Sequence, residues 1–359
     1  MPQVGINCVL QNAFDEITDR EAYERDLHLV KLAEPLGFEK ISAVEHHFNN
    51  YSMGPDNVAL LAWLAGQTST IELMTGAVIL PWNNPLRVVE RMILLDHLSQ
   101  GRAHFGIGRG LARREYEAFG IDMNESRDRF NEAAKMVIEG VETGFVEGDG
   151  PYYKQKRTEV RPRPYKSFKD RITCVAMSPD TVPIAAELGA RMTVFAQKPW
   201  AEMVGHFETY HRLFREAQGR DAPAPTCTEF VFCDSSADRA EEMAMKYIGN
   251  YYDILIDHYE FGSKHFSQTK GYSGYATAAE KVLTTAHEQL REAYVRANNF
   301  GTPNQILENY EKRRALIGDF DIQINVTYGG LSLQDAEGNL RLYAEKVLPE
   351  LKSWQREAA

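Results

Sequence analysis

The sequence predicts a single (β/α)8 TIM barrel with a lid-like insertion after its seventh strand. Three observations carry this. Strand-like and helix-like runs alternate eight times over 359 residues, the strands are short and mostly apolar, and no linker or low-complexity stretch divides the chain. Short apolar strands of this kind belong to a sheet covered on both faces, so one domain spanning 1–359 is expected. A doubly wound open sheet would need a reversal point and a working dinucleotide turn, and the chain offers neither.

Residues 4–10 read as the first strand. A helix follows over 21–36, with Ala22, Leu29, Ala33 and Leu36 facing inward and Gly37 as its stop. Strand two, 40–44, leads directly into Glu45-His46-His47-Phe48. A helix from 55 to 65, strand three over 71–80, a helix over 86–98 behind Pro85 and strand four over 103–107 continue the alternation. A short helix is expected at 115–119 and a long one at 127–142. The stretch 143–169, with its Gly, Pro and Tyr, reads as a loop with room for a hairpin. Strand five (172–176), Ser178-Pro179-Asp180-Thr181 and a helix to 188 come next, then strand six (192–195) and a helix over 200–218. Strand seven (226–233), a helix over 237–252, strand eight (322–326) and a closing helix over 333–351 complete the order. The section 258–301 is too long for a plain connection, which makes it either a functional lid or disordered.

Composition narrows the function. The chain is 43% hydrophobic and 25% charged, with a formal net charge of −11, which argues against nucleic acid as a main partner. No apolar run is long enough to cross a bilayer, and no signal peptide precedes the first strand, so a cytoplasmic location is expected. Cys8, Cys174, Cys227 and Cys233 form no Cys-x-x-Cys pair and lie in or beside strand-like runs, as reduced buried thiols do.

The stretch Arg102-Ala103-His104-Phe105-Gly106-Ile107-Gly108-Arg109-Gly110-Leu111 organises the chain. Its glycines permit backbone angles closed to other residues, successive amides can form a concave anion site, and Arg109 adds a fixed charge. A second cation follows at Arg127, so a phosphate seat is one reading and a tight turn with surface arginines is the other. A Gly-x-Gly-x-x-Gly fingerprint fails because Leu111 stands where its third glycine belongs, and a P-loop lacks its Gly-Lys-Ser/Thr. Residues just past strand ends line the site of a barrel, which selects Glu45, His46, His47, Gly108, Arg109, Ser178, Thr181 and Ala196. Adjacent residues of an extended chain point opposite ways, so at most one of the two histidines faces the centre. For the same reason the pair cannot easily share one ion, and no metal is expected. The absence of a Gly-x-Ser-x-Gly turn argues against serine hydrolysis.

These residues also carry a likeness. Val44-Glu45-His46-His47-Phe48, Gly76-Ala77-Val78-Ile79-Leu80-Pro81, Leu94 through Arg102, Phe105 through Leu111, Phe119 through Arg127, Gln268 through Tyr272 and Gly301-Thr302-Pro303 together resemble the bacterial luciferase-like flavin monooxygenases. The closest likeness is to the luciferase α-subunit branch, and it runs in order over most of the chain. The resemblance implies reduced FMN bound at the C-terminal ends of the strands, with Arg109 and Arg127 on its phosphate and Leu111, Ser178 and Thr181 as further contacts. It implies a non-proline cis peptide at Gly76-Ala77 beneath the flavin ring, with Gly108 and Met177 beside it. His46 matches the catalytic histidine, and the segment around Lys270 matches a mobile lid. Reduced flavin would add O2 at its C4a carbon to form a peroxyflavin oxidant, from which a closing lid excludes water. No nicotinamide site is evident, so a separate flavin reductase would supply reduced FMN.

The expected substrate is an aldehyde, ketone or other apolar organic molecule, with Phe48, Trp82, Met177 and Phe195 as candidate pocket residues. A homodimer is the expected assembly, through helices after strands two and three. Luciferases carry a reactive cysteine at Gly108, a glutamate at Met177 and a tryptophan at Ala196. Gly108 and Ala196 should leave more room beside the flavin, which puts light emission and a long-chain aldehyde in doubt. An F420-dependent oxidoreductase on the same barrel and a non-catalytic flavin-binding partner subunit are the alternatives.

Overall fold

The computed structural model describes residues 1–355. Its strands are β1 (Val4–Cys8), β2 (Lys40–Ala43), β3 (Glu72–Thr75), β4 (Val78–Ile79), β5 (Ala103–Gly108), β6 (Phe145–Asp149), β7 (Lys154–Glu159), β8 (Ile172–Val175), β9 (Arg191–Phe195), β10 (Thr226–Cys233), β11 (Asn299–Gly301) and β12 (Asp321–Asn325). Eight of these form a closed parallel ring in the order β1, β2, β3, β5, β8, β9, β10, β12. The ring closes where β1 pairs with β12, from Val4 opposite Ile322 to Asn7 opposite Asn325. Every residue of β1, β2, β10 and β12 is buried, polar ones such as Lys40, Glu229, Asp321 and Gln323 included, as expected of a sheet covered on both faces.

Helices cover the outside: α1 (Asp19–Lys31), α2 (Asn57–Ala65), α3 (Pro85–Leu98), α4 (Arg113–Ala118), α5 (Ser126–Thr143), α6 (Val182–Glu187), α7 (Val204–Gln218), α8 (Ala237–His258), α9 (His265–Gln268), α10 (Ser273–Thr284), α11 (His287–Ala297), α12 (Pro303–Ile317), α13 (Leu333–Lys346) and α14 (Leu348–Ser353). Their starts follow local chemistry. Thr18 and Glu21 form a reciprocal capping box on α1, Thr302 and Gln305 form one on α12, and Asn84 caps α3 ahead of Pro85. No helix among the described residues is long and apolar enough to cross a membrane.

Several expectations are corrected. The third strand is not one run over 71–80 but two pieces, β3 and β4, on either side of Gly76-Ala77, whose peptide is cis. The first helix ends at Lys31, short of Leu36, because the chain turns toward the positive φ of Gly37. Section 258–301 is ordered: α9, α10 and α11 fill it, and β11 adds to β10 outside the ring. Helix α12, absent from the sequence reading, was signalled by Thr302-Pro303 and Gln305 at capping spacing. The room for a hairpin in 143–169 is filled by β6 and β7, paired antiparallel.

At the N-terminal end of the barrel, buried Lys40 and His104 both meet the Glu72 carboxylate, at 3.3 and 3.2 Å. Burial works to raise the Glu72 carboxyl, but its contacts with His104 and Lys40 outweigh this and bring it down to about 2. Burial first, and then the Lys40 charge, push His104 down to about 4. Both groups bind protons more readily in the unfolded chain, so both make stability fall with acid. The His104 contribution is lost as pH drops from about 6.5 toward 4, and that of Glu72 from about 4.5 toward 2. The melting temperature is therefore expected to decline steadily below about pH 6.5, with Glu72→Gln flattening the most acidic part of the curve. Thermal denaturation across a pH series checks this.

Candidate active site

Strand β2 delivers Glu45, His46 and His47 to the C-terminal face, and two buried carboxylates drive the histidines apart. Glu45 accepts from Trp82 Nε1 at 2.7 Å, Asn83 Nδ2 at 2.9 Å and the Ile79 amide at 3.2 Å, and meets His47 Nε2 at 3.3 Å. His47 thereby turns outward against Trp82 and Phe119. Glu115, on α4 and 1% exposed, lies 3.1 Å from His46 Nδ1 and accepts the His47 amide at 2.8 Å. That leaves His46 Nε2 toward the central cavity, 3.5 Å from the Tyr259 hydroxyl. One histidine faces the centre, as the alternation of an extended chain requires.

His258 ends α8 fully buried, stacked 4.2 Å from Tyr51 and edge-on to His46 at 5.2 Å. Neither of its ring nitrogens has a hydrogen-bond partner among the described residues, and burial, then the charges of His46 and Arg114, push it down to about 2. A neutral ring therefore sits beside His46. His46, Glu115 and His258 each bring a ligand-type atom within 4.8 Å of the others, an arrangement that adjacency in sequence could not reveal. The His46–Glu115 hydrogen bond already satisfies two of the three groups.

The two arginines converge. Arg109, 7% exposed, donates to the Gly271 carbonyl at 2.7 Å and lies 3.8 Å over the Tyr272 ring. Arg127, at the start of α5, donates from Nη2 to Thr181 Oγ1 at 3.0 Å, while its Nη1 is buried without a partner among the described residues. Thr181 in turn lies 2.9 Å from Ser178 Oγ. Burial, and then the Arg109 charge, lower the Arg127 guanidinium from its usual range. A buried and a half-buried cation, one of them with an unused donor, are groups that could hold an oxyanion.

The seat adjoins an inner cavity of about 160 Å³ lined by Gly76, Ala77, Gly108, Leu111, Met177 and Phe195, among others. A Cβ at Gly108 would come within 3.0 Å of Ile79 Cδ1, so glycine keeps this wall open. Beyond Met177, Tyr275 and Tyr294 lies an outer chamber of about 450 Å³, roofed by α8, α10 and α11. Ser178 borders that chamber and Ala196 the inner one.

Two expected pocket residues lie away from the cavity. Phe48 takes φ +60°, which turns its ring outward, and it is 67% exposed against Phe119. Trp82 is engaged by Glu45 and packs on Tyr116 and Phe119 rather than on the cavity. Lys270 is exposed on the insertion, where its Nζ meets Asp128 at 2.8 Å and its amide donates to Asn124. The sequence reading missed Glu115 and the cavity phenols Tyr51, Tyr251, Tyr259 and Tyr294. Only Glu115 left a trace, as an acidic residue one turn beyond the glycine-rich loop.

A family model described as luciferase-like monooxygenase matches residues 3–319. The chain is 26% identical to the alkanal monooxygenase alpha chain of Photorhabdus luminescens over 354 residues, covering 98% of each. Among solved structures it resembles monooxygenase RslO1 from Streptomyces bottropensis, with TM-score 0.79, 24% identity and 97% and 99% of the two chains covered. It also resembles the oxygenating constituent of 3,6-diketocamphane monooxygenase from Pseudomonas putida in complex with FMN, with TM-score 0.75, 17% identity and 97% and 98% covered. Other neighbours of this fold are F420-dependent enzymes.

The oxyanion seat is testable without any cofactor. Orthophosphate is expected to raise the melting temperature with the logarithm of its concentration above Kd, and Arg127→Met to weaken its binding by about tenfold or more, as loss of a charge-assisted contact does. Calorimetric titration of wild-type and variant protein checks this.

Proposed function

The chain belongs to the luciferase-like monooxygenase family and is a flavin-dependent monooxygenase; from that premise we propose that it is the oxygenating component of a two-component system using reduced FMN and O2. The observation that carries the cofactor assignment is the Arg109–Arg127 pair, with one buried guanidinium nitrogen unpartnered among the described residues, beside a cavity lined by Gly76 and Ala77. Arg109, Arg127, Ser178 and Thr181 would hold the FMN phosphate, and Gly76, Ala77, Gly108, Leu111 and Met177 would flank the ring. When bound, reduced FMN supplies the electrons that activate dioxygen. Supply by a separate flavin reductase is part of the same reading.

The chain's own residues then have distinct tasks. Glu115 accepts the His46 Nδ1 proton and so presents the Nε2 lone pair to the cavity, where His46 takes or returns a proton. The insertion 258–301 covers the site and excludes water, with Lys270 tying it to α5 through Asp128. Phe195 and Met177 line the space left for an aldehyde, ketone or other apolar organic substrate. Trp63, Leu94 and Leu98 are 43%, 48% and 52% exposed on α2 and α3, which supports a homodimer through those helices. Four free, buried cysteines suit the reducing cytoplasm.

Reduced FMN is expected to bind and to drive transfer of one atom of labelled dioxygen into product, with reduced F420 as the control cofactor. Binding of F420 alone, or absence of label from every product of a broad substrate panel, would reject the reading. His46→Ala is expected to lower turnover by about 10²-fold or more. Glu115→Gln is expected to lower it less, and to have no further effect once His46 is gone, because the two act through one ring. Steady-state rates of the two single variants and the double variant check this.

A further inference from the structure

The residues that would hold FMN account for only part of the inner cavity. The remaining lining is aromatic and hydroxylated: Tyr51, Phe230, Tyr251, Tyr259 and Tyr294, with His46 at its edge. Their rings pack into one continuous wall, with Tyr51 to Tyr251 at 5.6 Å, Tyr251 to Phe230 at 4.2 Å and Phe230 to Tyr294 at 6.4 Å between centres. Such plates are rigid, having few torsions to lose on binding, and they favour another flat ring in stacked or edge-on contact.

The hydroxyls are not equivalent. Tyr51 and Tyr251 share a hydrogen bond of 2.5 Å, and Tyr259 faces His46 Nε2. The Tyr294 hydroxyl makes no hydrogen bond among the described residues, although Tyr294 is 6% exposed and borders both chambers. Burial, then the neighbouring Tyr251 and Tyr252, push its phenol well above the usual range, so it stays a neutral donor. Its oxygen is not among the buried unpartnered atoms and so stays accessible from the chambers Tyr294 borders, free to donate to a ligand oxygen. A linear alkanal covers the rings only through a flexible chain, and its single oxygen is the reacting carbonyl, which leaves no second oxygen for the hydroxyl. A ring bearing an oxygen satisfies both features at once. Gly108 and Ala196, both without a bulky side chain, leave width for such a ring.

We propose that the substrate is a cyclic, oxygen-substituted aromatic or partly aromatic ketone, its ring held against the Phe230–Tyr251–Tyr294 wall and its ring oxygen paired with the Tyr294 hydroxyl. This names the substrate class of the monooxygenase reading and rests on it. The test is calorimetric binding of three probes, 6-hydroxy-1-tetralone, 1-tetralone and decanal, to the protein alone and to the protein with oxidised FMN. The hydroxylated ketone is expected to bind about fivefold tighter than 1-tetralone, the margin of one buried neutral hydrogen bond, with decanal weakest. Tyr294→Phe, which keeps the ring, is expected to erase the difference between the ketones while leaving 1-tetralone unchanged. Equal binding of the two ketones, tighter binding of decanal, equal weakening of both ketones by Tyr294→Phe, or no binding of either ketone at millimolar concentration would overturn the proposal. If Tyr294→Phe does not fold, the wild-type ratio between the ketones still decides. Failure of FMN to bind would sink the cofactor reading, and the probes on protein alone would still decide this one.

Discussion

Closure of the parallel ladder between β1 and β12 is the constraint on which the rest of the molecule depends. Because the first strand pairs with the last in parallel, every strand of the ring runs the same way and ends on the same face. Side chains separated by most of the chain are thereby gathered at one mouth. His46 leaves β2, Arg109 leaves β5, Thr181 follows β8 and Ala196 follows β9. The bore beneath is sealed by polar contacts as well as apolar packing. Asn7 donates to Asn325, and Asn325 donates to the Glu229 carbonyl, so the closing seam carries buried side-chain bonds alongside its ladder. A parallel barrel satisfies all its central backbone groups internally, which frees the loops above it for chemistry.

Within that mouth, two buried carboxylates arrange the histidine pair. Glu45 gathers four donors and anchors the loop after β4, while Glu115 reaches across from α4 to His46 and to the His47 amide. Buried polar groups are tolerated when their hydrogen bonds are satisfied, and both carboxylates are held by several contacts. The same logic separates the two arginines. Arg109 is satisfied by the insertion through Gly271 and Tyr272, whereas Arg127 keeps an unused donor beside Thr181. The insertion therefore touches both Arg109 and the chambers above the ring.

Much of this was legible before any coordinates. The strand order, the glycine turn around Arg109, the second arginine and the outward turn of one histidine follow from periodicity, from glycine's backbone freedom and from the twofold alternation of an extended chain. Other parts were not. Phe48 and Trp82 are aromatic residues near strand ends, and nothing in their spacing tells a cavity wall from a loop brace. The φ of Phe48 and the Glu45 contact of Trp82 decide it. Glu115 and His258 are separated from His46 by 69 and 212 positions, so no local pattern could join them.

By itself the sequence determined the class of fold, the alternation of its elements and the candidates His46, Arg109 and Arg127, because these rest on interactions short along the chain: hydrophobic period, capping and turn chemistry. Only the tertiary structure decided which candidates meet. Ring closure sets the distance between loops that are remote in sequence, and the direction of a side chain depends on what packs beside it. The partnering of Glu115 with His46, the phenol wall and the retreat of Phe48 from the cavity are all consequences of that packing.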